Sequence, residues 1–141
     1  AKGGMSRVFS DRIDSGRVSR MAAVLEKHLK ARLADQDVYV NVGGGLRIAE
    51  VGIELPLAIA LYSARINQPV PALTAVVGEV SLAGELRPVP HLDRRARAVA
   101  EMSFTRLIYP AGGELKGAPA GLGRAASSLA EAVRACFAPT S

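Results

Sequence analysis

Serine, cysteine and histidine side chains are the first places to look for covalent or metal chemistry in this sequence. Ser63 lies in an Ala- and Leu-rich segment, where we expect its hydroxyl to bond the backbone four residues back rather than attack a substrate. Cys136 is the single cysteine and has no histidine near it in sequence, which predicts a small core residue and excludes an internal disulfide. With His28 and His91 as the two histidines, we expect no metal site.

Acidic and glycine residues form no complete catalytic motif. Four carboxylates lie near predicted strand ends: Glu50, Glu54, Glu79 and Glu85. The fold could pair two of them for acid–base catalysis, and solvated or capping roles are the alternative. Gly43-Gly44-Gly45 is followed by Leu46 rather than lysine, so the loop that cradles nucleotide phosphates is not supported and a turn or bulge is expected.

Basic side chains offer a different chemistry, contact with phosphate. Lysine and arginine number 18 against 13 acidic residues, and the net charge of +5 favours a polyanionic partner, unless the many arginines reflect genome composition alone. At about 100° per residue, one face of the first predicted helix, opposite its apolar stripe, carries Arg17, Arg20, Lys27 and Lys30. A basic face of this kind is typical of a surface that contacts DNA phosphates, and also of the solvated side of any surface helix.

Further arginines outside this helix are also candidates for DNA contact. They are Arg7, Arg65 and Arg106. The cluster Arg94-Arg95-Arg97 could contact DNA, face a neighbouring subunit or pair with Glu101. Aromatic residues make up 4% of the chain, too few for a base-stacking sheet, so any binding should be directed to the DNA backbone and be largely independent of sequence.

Hydrophobic periodicity predicts the elements that position these groups. Helices are expected over 15–33, 54–66, 92–102 and 127–137, and strands over 37–42, 73–82 and 106–109, with an extended segment at Val8-Phe9 and a second strand over 46–50. Ala83-Gly84-Glu85 predicts a hairpin turn that returns through Leu86-Arg87, and 111–123 is expected to be a loop. Alternating helices and strands indicate an α/β (α+β) fold with a mixed sheet packed by helices.

The length and the apolar runs restrict the class of protein. Its 141 residues suit one domain over 17–141, with residues 1–16 as an N-terminal extension that holds an edge strand. No apolar run approaches the roughly 20 residues that cross a bilayer, and no export signal is visible. We therefore expect a soluble, cytoplasmic protein without a membrane partner.

Three longer motifs resemble one protein family over residues 6–110. They are the run from Asp37 to Glu50, the helix that ends in Gln68-Pro69-Val70, and the run from Gly78 to Val89; Arg7-Val8 and the helix segment 22–27 also fit. Together they resemble the C-terminal Lon-protease-like domain of the RadA (Sms) family of bacterial DNA repair proteins. Glu50-Val51-Gly52 stands where relatives commonly carry Glu-Pro-Ala.

The resemblance implies a Lon-like fold without peptidase activity. Lon peptidases use a Ser–Lys dyad, and its two places fall at Gly52 and Asp93 in this chain. Glycine has no hydroxyl and aspartate cannot act as an amine base. No lysine lies between positions 31 and 115, so a small shift of the alignment does not restore the dyad.

The resemblance also implies that this chain is one module of a longer protein. We expect a fragment of a DNA-dependent ATPase, in which this module assembles a hexameric ring and binds DNA during processing of recombination intermediates. ATP, magnesium and zinc would act in N-terminal parts that this sequence lacks, so no cofactor is expected here. Recombinase or replication proteins are further expected partners. The alternatives are a purely structural oligomerisation domain and, against the missing dyad, an active Lon-type serine peptidase.

Overall fold

A computed structural model describes residues 8–11, 15–31, 38–41, 53–112, 115 and 118–138. The elements in chain order are β1 (Val8–Asp11), α1 (Ser15–Leu29), β2 (Val38–Asn41), α2 (Glu54–Ile66), β3 (Thr74–Val76), β4 (Glu79–Val80), β5 (Leu86–Arg87), α3 (Leu92–Glu101), β6 (Arg106–Pro110), β7 (Gly123–Ala126) and α4 (Leu129–Phe137). Helices alternate with strands, and the predicted α/β class is confirmed.

Strand pairing is both parallel and antiparallel. β3, β6 and β7 form a parallel sheet with β6 in the centre, and β1 pairs with β2 in parallel. β4 and β5 form an antiparallel hairpin, with Val80 opposite Leu86. Parallel neighbours require crossover connections, and α3 lies in the connection between β3 and β6.

The parallel sheet is covered on both faces. Ile108 of β6 packs into a core with Met21 of α1, Ile59 of α2 and Leu129 of α4. Leu107, the preceding residue, packs into a second cluster on the side of α3. Successive strand residues point to opposite faces, so the central strand is buried on both sides, as parallel sheets usually are.

Helix boundaries follow from backbone groups at the ends. α2 spans the predicted 54–66 and ends where Asn67 takes a left-handed φ of 58°. α1 ends at Leu29, four residues before the predicted end, because Lys30 has a φ of 57° and the N–H of Ala31 bonds the carbonyl of Leu25 at 3.3 Å. Such bonds close a helix by satisfying carbonyls of its last turn.

One predicted strand is two strands in different sheets. The apolar run 73–82 predicted a single strand, but β3 ends at Val76 and β4 begins at Glu79. Between them the carbonyl of Gly78 accepts the N–H of Leu55 at 2.9 Å, and a Cβ on Gly78 would lie 3.1 Å from the Leu55 side chain. Packing against α2 therefore diverts the chain, and periodicity alone does not reveal this.

The remaining elements were predicted from sequence with mixed success. The hairpin through Leu86-Arg87 is confirmed, and β6 extends the predicted 106–109 by Pro110. β7 was missed, since Gly123-Arg124-Ala125-Ala126 contains no β-branched or aromatic residue. The predicted strand 46–50 and the three glycines at 43–45 lie outside the described residues. Among the described helices, none has the length and apolar character needed to cross a membrane.

Candidate nucleic-acid interface

Two arginines of the predicted basic face turn toward a buried carboxylate. Nη2 of Arg20 donates to Oε2 of Glu54 at 2.9 Å, and Nε of Arg17 lies 4.0 Å from the same oxygen. The other carboxylate oxygen, Oε1, accepts the backbone N–H of Val80 at 2.9 Å. Glu54 thus joins α1, the first turn of α2 and the outer edge of β4.

Burial defines the role of Glu54. The residue is 4% exposed, and a buried carboxylate is tolerated when charge and hydrogen-bond partners surround it, as here. The sequence left open an acid–base pair or a solvated or capping role; the solvated and capping roles do not apply, because Glu54 is buried and Ile53 is the N-cap of α2. The bonds to Arg20 and to the N–H of Val80 favour a structural role over acid–base catalysis. Arg17 is largely covered, whereas the Arg20 side chain is 43% exposed and keeps one side open to solvent.

The two lysines of the basic face lie at the exposed end of α1. Lys27 is in the last turn and Lys30 is the first residue beyond the helix. Between them, Nε2 of His28 lies 3.1 Å from the carbonyl oxygen of Leu82 on the β4–β5 turn, which ties this end of α1 to the hairpin. Cations near a helix C-terminus are also favoured by the helix dipole. These two ammonium groups remain available to a polyanion.

Arg106 is placed where DNA cannot reach it. It is 2% exposed, and its Nη1 donates to the carbonyls of Ala135 at 3.1 Å and Cys136 at 2.8 Å, at the C-terminal end of α4. We therefore exclude Arg106 from the interface. The sequence already contained a sign of this burial, because side chains alternate along a strand and Arg106 therefore lies on the same face as the core residue Ile108.

The other arginines predicted to contact DNA lie on different elements of the fold. Arg65 is exposed in the last turn of α2, and Arg7 lies outside the described residues. Arg94 and Arg97 are exposed on α3 and line a concavity of about 400 Å³. Arg95 differs from them, because its Nε donates to the carbonyl of Pro90 at 2.9 Å.

The nucleophile candidates are engaged or buried. The Ser63 hydroxyl donates to the carbonyl of Gln68, beyond the end of α2, rather than to the backbone four residues back as expected. Cys136 is fully buried, as expected of a core residue. Burial raises the pKa of its thiol, partly offset by the nearby charge of Arg106, so it is a poor thiolate nucleophile.

Of the two dyad positions, the structure describes one. Asp93 occupies the first turn of α3 and lines the concavity of Arg94 and Arg97, while Gly52 lies outside the described residues. The described residues contain no group of three or more His, Cys, Asp or Glu side chains that could hold a metal ion.

Comparison with known proteins gives a family. The family model described as subunit ChlI of Mg-chelatase matches residues 14–113. DNA repair protein RadA of Treponema pallidum is 47% identical over 137 residues, which is 97% of this chain. RadA of Haemophilus influenzae is 42% identical over 106 residues, 75% of the chain, and RadA of Escherichia coli is 41% identical over 110 residues, 78% of it. The chain belongs to the ChlI family and is a RadA relative.

The RadA relatives are much longer than this chain. The match spans 30% of the Treponema protein, 23% of the Haemophilus protein and 24% of the Escherichia protein. The resemblance to the RadA family inferred from the motifs between Asp37 and Val89 is thus confirmed, over a larger share of the chain than those motifs cover.

Proposed function

We propose that this chain is the DNA-binding and assembly module of a longer RadA-type DNA repair protein and has no peptidase activity. The relatives that match most of its length are DNA repair proteins by name. In the proposal it adopts a Lon-like fold, while ATP hydrolysis and the ATP, magnesium and zinc sites belong to other parts of the whole protein. Recombinase or replication proteins are proposed partners of that whole protein.

The exposed lysine pair at the end of α1 is the observation that carries the DNA-binding part. Lys27 and Lys30 project from a chain of net charge +5. The open side of Arg20 lies on the same helix, and Arg65 adds an exposed cation on α2. Contacts of this kind neutralise phosphates and carry no base readout, so the binding is independent of sequence and sensitive to salt.

An apolar pair supports the assembly part. Leu73 directly precedes β3 and is 51% exposed, and Met102 lies shortly before β6 and is 65% exposed. β3 and β6 run in parallel, with Thr74 opposite Arg106, so both side chains belong to the end of the sheet where these strands begin. Covering them in a closed ring, hexameric by resemblance, would remove this apolar area from water.

The residues at the two dyad places support the absence of peptidase activity. Asp93 carries a negative charge where a Lon peptidase has its lysine base, and Gly52 has no hydroxyl where the nucleophile would stand. An acyl-transfer mechanism needs an activated nucleophile and a base within hydrogen-bond reach of it.

The experiment for DNA binding is fluorescence anisotropy of a labelled duplex titrated with this chain at several salt concentrations. Lys27→Ala with Lys30→Ala should weaken binding at every sequence and lower the steepness of the salt dependence by about one to two phosphate contacts. Arg134→Ala is the matched control, because Arg134 is an exposed cation on α4, a helix whose side chains the DNA-binding proposal does not use.

The outcomes separate the proposal from its alternative. An assembled wild-type chain that shows no binding near physiological salt would make this a purely structural oligomerisation domain. Equal losses in the lysine variant and in the Arg134 control would show a diffuse charge effect and remove the α1 surface from the proposal. Labelling by a serine-directed fluorophosphonate would contradict the absence of peptidase activity.

A further inference from the structure

The concavity beside α3 has a composition suited to anions. Its eight lining residues come from the segment before α3, the first two turns of α3 and the end of β6: Pro88, Val89, His91, Leu92, Asp93, Arg94, Arg97 and Pro110. Two arginines and a histidine face one carboxylate. Its volume of about 400 Å³ lies in the range of small-ligand sites, roughly 300–1,000 Å³.

Arg94 and Arg97 both line the concavity from α3. Arg94 and Arg97 are three residues apart on a helix, which places their side chains on one face. Both are exposed, whereas Arg95 between them anchors its Nε on the carbonyl of Pro90. The guanidinium group presents parallel N–H donors that match the oxygens of a phosphate, and two such groups on one wall can hold one phosphate from two directions.

A second concavity of the same chain is lined by more acidic than basic side chains. It has a volume of about 520 Å³ and lies along the β4–β5 hairpin, where Arg20 and Arg87 face Glu54, Glu79 and Glu85. Three carboxylates against two arginines repel an anion there, and Arg20 is already bonded to Glu54. The α3 concavity has the opposite balance.

We propose that the α3 concavity binds a phosphate group through Arg94 and Arg97. Where the phosphate belongs to a DNA backbone, this inference rests on the proposed function and adds a contact separate from the lysines of α1. Where it belongs to a free nucleotide or to inorganic phosphate, the same chemistry operates without DNA. Asp93 is the group that opposes the anion and limits the affinity.

The test uses the whole chain, uniformly labelled with ¹⁵N, and inorganic pyrophosphate as the probe. Amide shifts should move saturably at residues 91–97, and Arg94→Gln with Arg97→Gln should weaken the fitted affinity by about tenfold. Asp93→Asn should strengthen it by about two- to fivefold, because it removes the opposing charge and keeps the shape. Arg134→Gln is the control and should leave the affinity unchanged.

The duplex arm of the test identifies the source of the phosphate. For a DNA phosphate, pyrophosphate should compete with the labelled duplex, and the Arg94–Arg97 double variant should lose duplex affinity while Lys27 and Lys30 are intact. Saturable pyrophosphate shifts without any duplex binding would support a free phosphate ligand and would contradict the proposed function instead.

Three results would overturn the phosphate site. The first is an absence of shifts at residues 91–97 with pyrophosphate while the duplex still binds through the α1 lysines, which leaves the proposed function standing. The second is weaker pyrophosphate binding in Asp93→Asn, since that would mean that the carboxylate supports binding instead of opposing the anion. The third is an equal loss in the Arg134→Gln control. Far-ultraviolet circular dichroism and thermal unfolding establish that each variant is folded before titration.

Discussion

Glu54 and Arg106, the two buried charged residues in the described part of the chain, each have specific hydrogen-bond partners. The Glu54 carboxylate is bonded by Arg20 and by the N–H of Val80, and Arg106 is bonded to two carbonyls of α4. A charged group leaves water at a high free-energy cost, so a buried charge persists where polar atoms surround it. Residue type alone does not distinguish such an arginine from one that contacts a phosphate.

Replacing Arg106 by methionine tests its structural role. Arg106→Met fills similar space but leaves the carbonyls of Ala135 and Cys136 without their donor, so the free energy of unfolding should fall by roughly 2 kcal/mol. Urea unfolding measures this change, and Arg134→Met on the exposed face of α4 should stay within about 0.5 kcal/mol of the wild type. A loss of duplex affinity in folded Arg106→Met without a loss of stability would return Arg106 to the interface.

The Cys136 thiol predicts a dependence of stability on pH. Because burial raises its pKa, the folded state favours the protonated thiol. Its contribution is complete below the unfolded thiol pKa of about 8.5 and is lost as the pH rises through the folded value. The free energy of unfolding should therefore fall more steeply above about pH 8.5 in the wild type than in Cys136→Ala; parallel curves would contradict this. Labelling by Ellman's reagent at neutral pH should require unfolding.

At the scale of elements, the turn of the β4–β5 hairpin packs against the C-terminal end of α1. Gly84 has a φ of 79°, its N–H bonds the carbonyl of Ser81 at 2.9 Å, and its α-carbon faces the His28 ring. The turn itself was predicted from Ala83-Gly84-Glu85, because turn geometry is a local property. Its packing on His28 joins residues far apart in the chain and was not predicted.

Substituting Gly84 separates the backbone cost from the ring contact. Gly84→Ala and Gly121→Ala both place a Cβ at a left-handed φ, 79° and 84°, which costs roughly 1–2 kcal/mol. At Gly84 the new atom also lies 3.0 Å from the His28 ring, whereas nothing lies within 4 Å at Gly121. Urea unfolding should show the larger loss for Gly84→Ala, and the difference should shrink in a His28→Ala background. Equal losses would mean that the ring moves aside freely.

At the scale of the whole molecule, helices on both faces of the parallel sheet leave the exposed groups on separate surfaces. Lys27 and Lys30 lie at the end of α1, Arg94 and Arg97 on α3, and Leu73 and Met102 where β3 and β6 begin. The covered sheet buries the central strand, so the candidate DNA contacts are side chains that project from helices. Because these groups lie on different elements, the proposed DNA binding and the proposed assembly can be tested with separate substitutions.

Sedimentation velocity tests the proposed assembly. The chain should sediment faster than a monomer at micromolar concentration, and Leu73→Gln with Met102→Gln should shift it toward monomer because the apolar area to be covered is reduced. Leu82→Gln on the hairpin is the matched control, since Leu82 and Met102 are equally exposed at 65%. A larger effect of Leu82→Gln would move the interface to the hairpin.

The amino-acid sequence by itself determined the features that depend on near neighbours. The bounds of α2, the turn at Gly84 and the α/β class follow from periodicity and local backbone preferences, which act within a few residues. The family also followed, because the motifs between Asp37 and Val89 are read directly from the chain.

The tertiary structure alone decided which polar groups face solvent. Glu54 lies beside the largely covered Arg17 and binds Arg20, α4 buries Arg106, and Gly78 against Leu55 divides one apolar run into β3 and β4. Each of these contacts joins residues that are distant in sequence. A charge or an apolar run has the same local pattern whatever packs against it, so its environment is set only when the elements come together.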